Sequence, residues 1–219
     1  MKVDQGPAAR KTRTGRPLSF DRDAALERAM LTFWRHGYET TSITDLTDAM
    51  GISTPSLYGA FGDKRRLFLE SMQRYAGDPA ATAAAIDAAP TARAAAAELL
   101  AGAIVRYTGE TTPPGCLLAS ATASGSAASA EVQRAVADIR RFVIDRLQSR
   151  IARDVAEGLL PAATEASALA GLVMAMLQGL SVLARDGLDR ASLHAIAETA
   201  LRAWPEPGGR GGDALATGV

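Results

Sequence analysis

Short polar side chains cluster at residues 53–56, where Ser53 and Thr54 are followed by Pro55 and Ser56. Their hydroxyl groups donate and accept hydrogen bonds at short range, which suits contacts with base edges in the major groove of DNA. Ser53 is also a good N-cap, and Pro55 lies in the first turn, where its missing N–H costs nothing. The segment therefore predicts a helix whose first turn is polar, with Ser53 as its cap.

Further helices must hold this segment in place, and the sequence predicts three. Their apolar residues recur at spacings of three and four, as on a buried helix face: Leu26, Ala29, Met30 and Phe33; Ile43, Leu46 and Met50; Leu67, Phe68, Met72 and Tyr75. Asp21, Ser42 and Asp63 are suitable N-caps, and Gly37 and Gly51 are suitable helix ends. Short helices joined by a three-residue turn that contains glycine predict a helix-turn-helix.

The segment 37–68, GYETTSITDLTDAMGISTPSLYGAFGDKRRLF, resembles the DNA-binding domain of the TetR (tetracycline-repressor) family. It has the family's Gly-aromatic pair, Thr/Ser pair, helix ending in Gly-Ile, polar recognition helix, Leu-Tyr, Phe and Lys, in that order. The resemblance covers about residues 18–76, and the motifs GRP at 15–17 and FWRHGYE at 33–39 also fit. It implies an all-α fold, in which an N-terminal helix-turn-helix precedes a helical ligand-binding and dimerisation domain.

The resemblance also implies roles for individual residues. Thr54, Pro55 and Ser56 would face bases or neighbouring phosphates, as Ser53 would if it is more than a cap. Tyr58 and Lys64 would contact the DNA backbone, which sets register without reading sequence. Thr41 and Ser42 would do the same, with the backbone N–H groups of their helix behind them. Ser42 can also be a cap only, and Tyr58 can be partly core. Gly59 and Ala60 depart from the family pattern, since many relatives have an aromatic residue or His there.

The charge distribution is uneven along a chain of net charge zero. Residues 1–75 hold 12 Lys and Arg against 9 Asp and Glu, whereas residues 76–219 hold 12 against 15. Residues 1–18 are predicted to be a flexible basic arm, in which Arg13 and Arg16 could reach a minor groove. A solvated tail is the alternative for such a cluster.

Beyond Asp78 and Pro79 the composition becomes rich in alanine, which predicts a domain boundary. The predicted domains are 19–76 for DNA binding and 80–205 for ligand sensing and dimerisation, followed by a disordered tail at 206–219. Helices are predicted at about 91–109, 116–124, 130–156, 164–185 and 189–204. The fourth of these is apolar on nearly its whole circumference, so it must be buried in its own domain or against a second subunit. With the apolar stripe of the fifth, it predicts a homodimer.

A small-molecule inducer is predicted to bind in the second domain, although the resemblance does not identify it. The candidate pocket residues combine apolar surface with a few polar groups: Tyr107, Cys116, Ser120, Phe142, Met174 and Gln178. Each can instead be plain core. Cys116, the single cysteine, is either a thiol switch or a buried, inert side chain.

The residues predict a regulator rather than an enzyme, because they include no catalytic Ser/His/Asp arrangement, phosphate-binding glycine loop or metal-ligand cluster. No cofactor is expected. An architectural protein that binds DNA with little sequence preference is the second alternative. The polar first 20 residues do not resemble a signal peptide, and residues 166–184 are too rich in Ala, Gly and polar side chains for a typical membrane span. A cytoplasmic protein that binds a palindromic operator is expected.

Overall fold

The computed structural model describes residues 20–120 and 130–206, and this part of the chain is helical without strands. Its helices are α1 (Arg22–His36), α2 (Ile43–Met50), α3 (Thr54–Phe61), α4 (Lys64–Ala76), α5 (Pro79–Ala88), α6 (Ala92–Tyr107), α7 (Leu117–Ser120), α8 (Ala130–Ala156), α9 (Ala166–Arg185) and α10 (Arg190–Arg202). The predicted all-α class is confirmed. The predicted basic arm, the tail beyond residue 206, the Ser120 side chain and the end of the predicted helix 116–124 lie outside the described residues.

The ends of the first four helices follow the predicted caps. The Asp21 side chain accepts hydrogen bonds from the N–H groups of Asp23 and Ala24, at 2.9 and 3.1 Å. Ser42 caps α2 and forms a capping box with Asp45, and Ser53 and Asp63 cap α3 and α4. Gly51, which ends α2, has the left-handed conformation, with φ of 68° and ψ of 33°. These local signals place α3 at a defined angle to α2.

Helix α5 was not predicted from the sequence. Its residues Pro79–Ala88 lie where the change in composition indicated only a domain boundary. Asp78 caps this helix by accepting from the N–H of Ala80 at 2.8 Å, and Ile86 is its one buried large side chain. A run of small residues with a single apolar anchor has no helical periodicity, so packing against α8 and α6 decides its place.

Two hydrophobic clusters make up the core, and one segment joins them. The N-terminal cluster holds Phe33, Leu46, Leu57 and Phe68, together with others from α1 to α4. It also includes Leu117 of α7 and the first turns of α8 through Val132 and Val136. The second cluster lies among α5, α6, α8, α9 and α10 and includes Cys116. Adjacent residues of one segment thus enter different clusters.

A buried ion pair fixes the turn between α5 and α6 against α8. Arg150 and Asp154, whose side chains are 4% and 2% exposed, form a salt bridge. The Asp154 carboxylate accepts from the N–H of Ala92 at 2.6 Å, and the Arg150 guanidinium donates to the carbonyl oxygens of Ala89 and Pro90 at 3.1 and 2.9 Å. Arg150 is therefore buried, in contrast to the exposed Arg141 of the same helix.

Helix α9 is buried on one face only within the subunit. Val173, Leu177 and Leu180 point into the core, whereas Leu172 and Val182 are 52% and 55% exposed. By length and composition α9 could cross a membrane, but it packs on α6, α8 and α10. An apolar helix that leaves one face uncovered indicates an interaction surface.

Candidate nucleic-acid interface and ligand cavity

Helix α3 presents a polar and aromatic face away from the core. Leu57 and Phe61 are buried, whereas Thr54 and Pro55 are exposed and Tyr58 is 49% exposed. Ser56 is half-buried, and its hydroxyl lies 2.9 Å from that of Ser53. Tyr58 is therefore not a core residue in the described part of the chain. Its phenol ring and the Thr54 hydroxyl are free to meet a groove of DNA.

Loop 37–42 leads into α2, which packs against α3, and the two predicted contacts at its end differ. Ser42 is exposed, and its hydroxyl lies 2.7 Å from Asp45, whose pKa is lowered first by the backbone N–H of Ser42 and then by that hydroxyl. Thr41 is 1% exposed, and its hydroxyl donates to the Gly37 carbonyl at 2.6 Å. The prediction for the Thr41 side chain therefore needs correction, because this hydroxyl closes the loop instead of reaching the surface.

Lys64 lies at the start of α4, against the same loop. Its Nζ donates to the Glu39 carbonyl at 3.2 Å and lies 4.6 Å from the centroid of the Tyr38 ring. Burial lowers the pKa of Lys64, and Glu39 and Asp45 partly oppose that effect. One of three ammonium donors is used in this way, so the group is held in a defined position with donors left for a phosphate.

Arg22 of α1 holds the other end of α3 and was not singled out from the sequence. Its guanidinium pairs with both carboxylate oxygens of Glu70, one of them at 2.8 Å, and donates to the Ala60 carbonyl at 3.3 Å. It also stacks over the Phe61 ring, 4.4 Å from the centroid. The hydrogen bond with Glu70 is the main cause that raises the pKa of Arg22. The end of α3 is thus tied to α1 and α4.

A cavity of about 380 Å³ lies among α4, α5, α6, α8 and α9. Four of the predicted pocket residues line it: Tyr107, Cys116, Met174 and Gln178. Phe142 does not, because α8 turns Ile139, Arg140 and Val143 toward the cavity. At about 100° per residue, Phe142 lies roughly 100° round the helix from the middle of that face.

The cavity wall also includes residues that the sequence did not indicate. Tyr75 comes from α4, Glu98 and Arg106 lie exposed on α6, and Arg140 comes from α8. Arg140 donates to the Leu118 carbonyl at 3.0 Å. A small molecule in the cavity would therefore meet an apolar interior with phenol and thiol groups and a charged rim.

Cys116 lies at the cavity wall beside Tyr75 and Tyr107. The Tyr75 hydroxyl donates to the Cys116 sulfur at 3.4 Å, and the pKa values of Tyr75 and Tyr107 are raised, first by burial and then by this thiol. The Cys116 N–H donates to the Ser181 hydroxyl at 2.9 Å, and Arg185 donates to the Cys116 carbonyl at 2.8 Å. Both bonds fasten the segment to α9.

Gly115 permits that close approach. It has a φ of +80°, and a Cβ there would lie 2.8 Å from the Ser181 carbonyl oxygen. Two residues on, Leu117 is fully buried in the N-terminal cluster. Residues 115–117 therefore connect the cavity directly to the helices that position α3.

A helix-turn-helix with an exposed recognition helix, carried on a helical domain with its own cavity, defines a class of DNA-binding protein. The model of the family "Bacterial regulatory proteins, tetR family" matches residues 25–71. The HTH-type transcriptional repressor ComR of Escherichia coli is 35% identical over 208 residues, which cover 94% of this chain and 99% of ComR. The chain belongs to the tetR family of bacterial regulatory proteins.

Solved structures of TetR regulators are similar to this chain over most of its length. A cysteine-substituted form of the TetR family regulator CifR, complexed with 26 bp operator DNA, is 43% identical, with a TM-score of 0.80, and the match covers 87% of this chain and 100% of CifR. A TetR regulator from Rhodococcus sp. RHA1 is 40% identical, with a TM-score of 0.59, and the match covers 85% of this chain and 100% of that one. The chain is a DNA-binding transcriptional regulator.

Proposed function

We propose that this protein is a repressor that binds a palindromic operator as a homodimer and leaves it when a small molecule fills the cavity. The exposed face of α3, set in the family's DNA-binding motif, is the observation that carries this proposal. Its relative ComR is a repressor, and CifR is known in complex with operator DNA. The division into domains 19–76 and 80–205 is part of the proposal.

In the proposed complex, the first turn of α3 enters the major groove. Thr54, Pro55 and Ser56 meet base edges or adjacent phosphates, with Ser53 mainly a cap. Tyr58 at one side of α3, and Lys64 and Ser42 beyond it, contact the backbone and set the register. Thr41 contributes through its backbone only, since its hydroxyl already donates to Gly37.

Replacing Lys64 with Ala tests this interface. The variant should bind operator and nonspecific duplex more weakly by similar factors, and the slope of log affinity against log salt concentration should fall by about one, because one phosphate contact is lost. Titrations of labelled duplexes at several salt concentrations measure both effects. Arg141→Ala removes a charge from an exposed pair on α8 and should leave the slope unchanged. An unaltered slope for Lys64→Ala would remove this residue from the interface.

Release by a small molecule is proposed to pass through residues 115–117. A molecule in the cavity displaces Tyr75 or Cys116, and the attached Leu117 then shifts against α1 and α4. Arg65 of α4 also forms a salt bridge with Glu131 of α8, so a movement of α8 would displace α4 in the DNA-binding domain. A ligand needs only to bind the conformation with mismatched half-site spacing more tightly than the matched one.

A larger side chain in the cavity should impair release by a small molecule without impairing DNA binding. Ala103 lines the cavity from α6, and Ala103→Phe should occupy part of it without displacing Tyr75 or Cys116, so operator affinity should be retained. Any molecule that releases the wild type should require a concentration higher by at least about tenfold, a loss of roughly 1.4 kcal/mol of binding free energy. Ala163→Phe places the same ring on an exposed loop and should respond like the wild type. Equal release of wild type and Ala103→Phe would place the ligand elsewhere.

We further propose that the protein has no enzymatic activity and works in the cytoplasm, without a membrane or a cofactor. In the part of the chain that the structure describes, the cavity residues support this proposal. They offer groups that can bind a ligand rather than a nucleophile paired with a base. The apolar face of α9 is assigned to the second subunit rather than to lipid, because the opposite face of the same helix belongs to the core.

A further inference from the structure

The face of α3 opposite its buried residues carries almost no side-chain atoms. At about 100° per residue, Gly59 lies roughly opposite the midpoint of the buried residues Leu57 and Phe61. Pro55, one turn earlier, lies on the same side, and both residues are exposed. The part of the recognition helix that projects furthest from the protein is therefore a proline ring and a bare stretch of backbone.

The fold itself has no use for glycine at this position. Gly59 is inside a helix, and a Cβ there would meet no described atom within 4 Å. Glycine in a helix interior is less stable than alanine, because it loses more backbone entropy on folding. The chain thus accepts a weaker recognition helix without any gain in its own packing.

Three other helical glycines with the same open surroundings lie where another molecule is proposed to bind. Gly102 is at the cavity, and Gly171 and Gly179 are on the side of α9 that the subunit leaves uncovered. In each case the missing side chain lies on a surface proposed to meet another molecule, where a bare backbone would allow the closest approach.

We propose that Gly59 is a specificity-determining position at which double-stranded DNA lies directly against the α3 backbone. A side chain here would hold the helix away from the groove floor and lengthen the contacts made by Ser56 and Tyr58 on its two flanks. This inference rests on the proposed docking of α3 in the major groove. It predicts that enlarging residue 59 stabilises the protein while it weakens operator binding.

The test is a size series, Gly59→Ala and Gly59→Leu, in the full-length protein. Gly59→Ala should raise Tm by about 2–4 °C, because alanine favours the helix. Its affinity for operator should fall by about tenfold, and Gly59→Leu should bind more weakly still, because contacts to base edges are lengthened. Ser149→Ala, an exposed and helix-favouring change on α8, should not alter operator affinity.

Opposite signs of the two effects support the proposal, since a structural role for residue 59 would move stability and binding in the same direction. Operator affinity of Gly59→Ala and Gly59→Leu equal to or above that of the wild type overturns it. Lys64→Ala, measured in parallel, distinguishes a failure of this inference from a failure of the proposed α3 interface. If Lys64→Ala weakens binding and the Gly59 variants do not, only this inference fails; if neither affects binding, the α3 interface fails as well.

Discussion

Asp154→Asn should lower the free energy of unfolding by about 3–5 kcal/mol, because it leaves the guanidinium of Arg150 buried without a counter-ion. At roughly 2–4 °C per kcal/mol, this corresponds to a fall in Tm of about 6–20 °C. The carboxylate also accepts from the N–H of Ala92 at the start of α6. Loosening that junction should disturb the cavity, which α5, α6 and α8 line together. Thermal unfolding at fixed protein concentration measures the change.

A matched pair on the same helix provides the control. Asp138 and Arg141 also form a salt bridge on α8, but their side chains are 66% and 65% exposed. Solvent screens such a pair, so Asp138→Asn should change stability by less than about 1 kcal/mol. Similar Tm values for Asp154→Asn and Asp138→Asn would show that the buried pair does not hold the α5–α6 turn.

The second large effect is expected on dimerisation. Replacing both Leu172 and Val182 with Glu should give a monomer, because each apolar side chain is more than half exposed in the subunit and lies on the uncovered side of α9. A monomer cannot engage both half-sites of a palindrome at once, so operator affinity should fall by about 100-fold or more. Light scattering at micromolar concentration and operator titration measure the two losses.

The control is another exposed apolar residue. Val105 of α6 is 53% exposed, and Val105→Glu should leave the protein dimeric with its operator affinity intact. The Leu172→Glu, Val182→Glu variant should remain folded as a monomer, since both charges remain in water. A double variant that is still dimeric would exclude this face of α9 from the interface.

Leu180, on the opposite side of the same helix, is a poor position for such a test. Leu180 is 1% exposed within the subunit, so Leu180→Glu would bury a charge in the core of its own domain. Periodicity shows that a helix is apolar all round. Which side faces the subunit and which faces outward depends on the neighbours that pack against it.

The sequence by itself determined the DNA-binding half of the structure. Caps at Asp21, Ser42, Ser53 and Asp63, with the left-handed Gly51 between α2 and α3, act through atoms within a few residues of each other. Such local hydrogen bonds can be read directly from residue type and spacing. The same holds for the bounds of α8, whose apolar repeat runs along the whole helix.

Only the tertiary structure decided which side chains face a cavity, an interface or the core. Helix α5, the burial of Arg150 and the absence of Phe142 from the cavity all follow from contacts between residues far apart in the chain. The polar groups around Cys116 likewise come from α4, α6 and α9. These contacts depend on how helices rotate and pack, and a helical repeat alone does not contain that information.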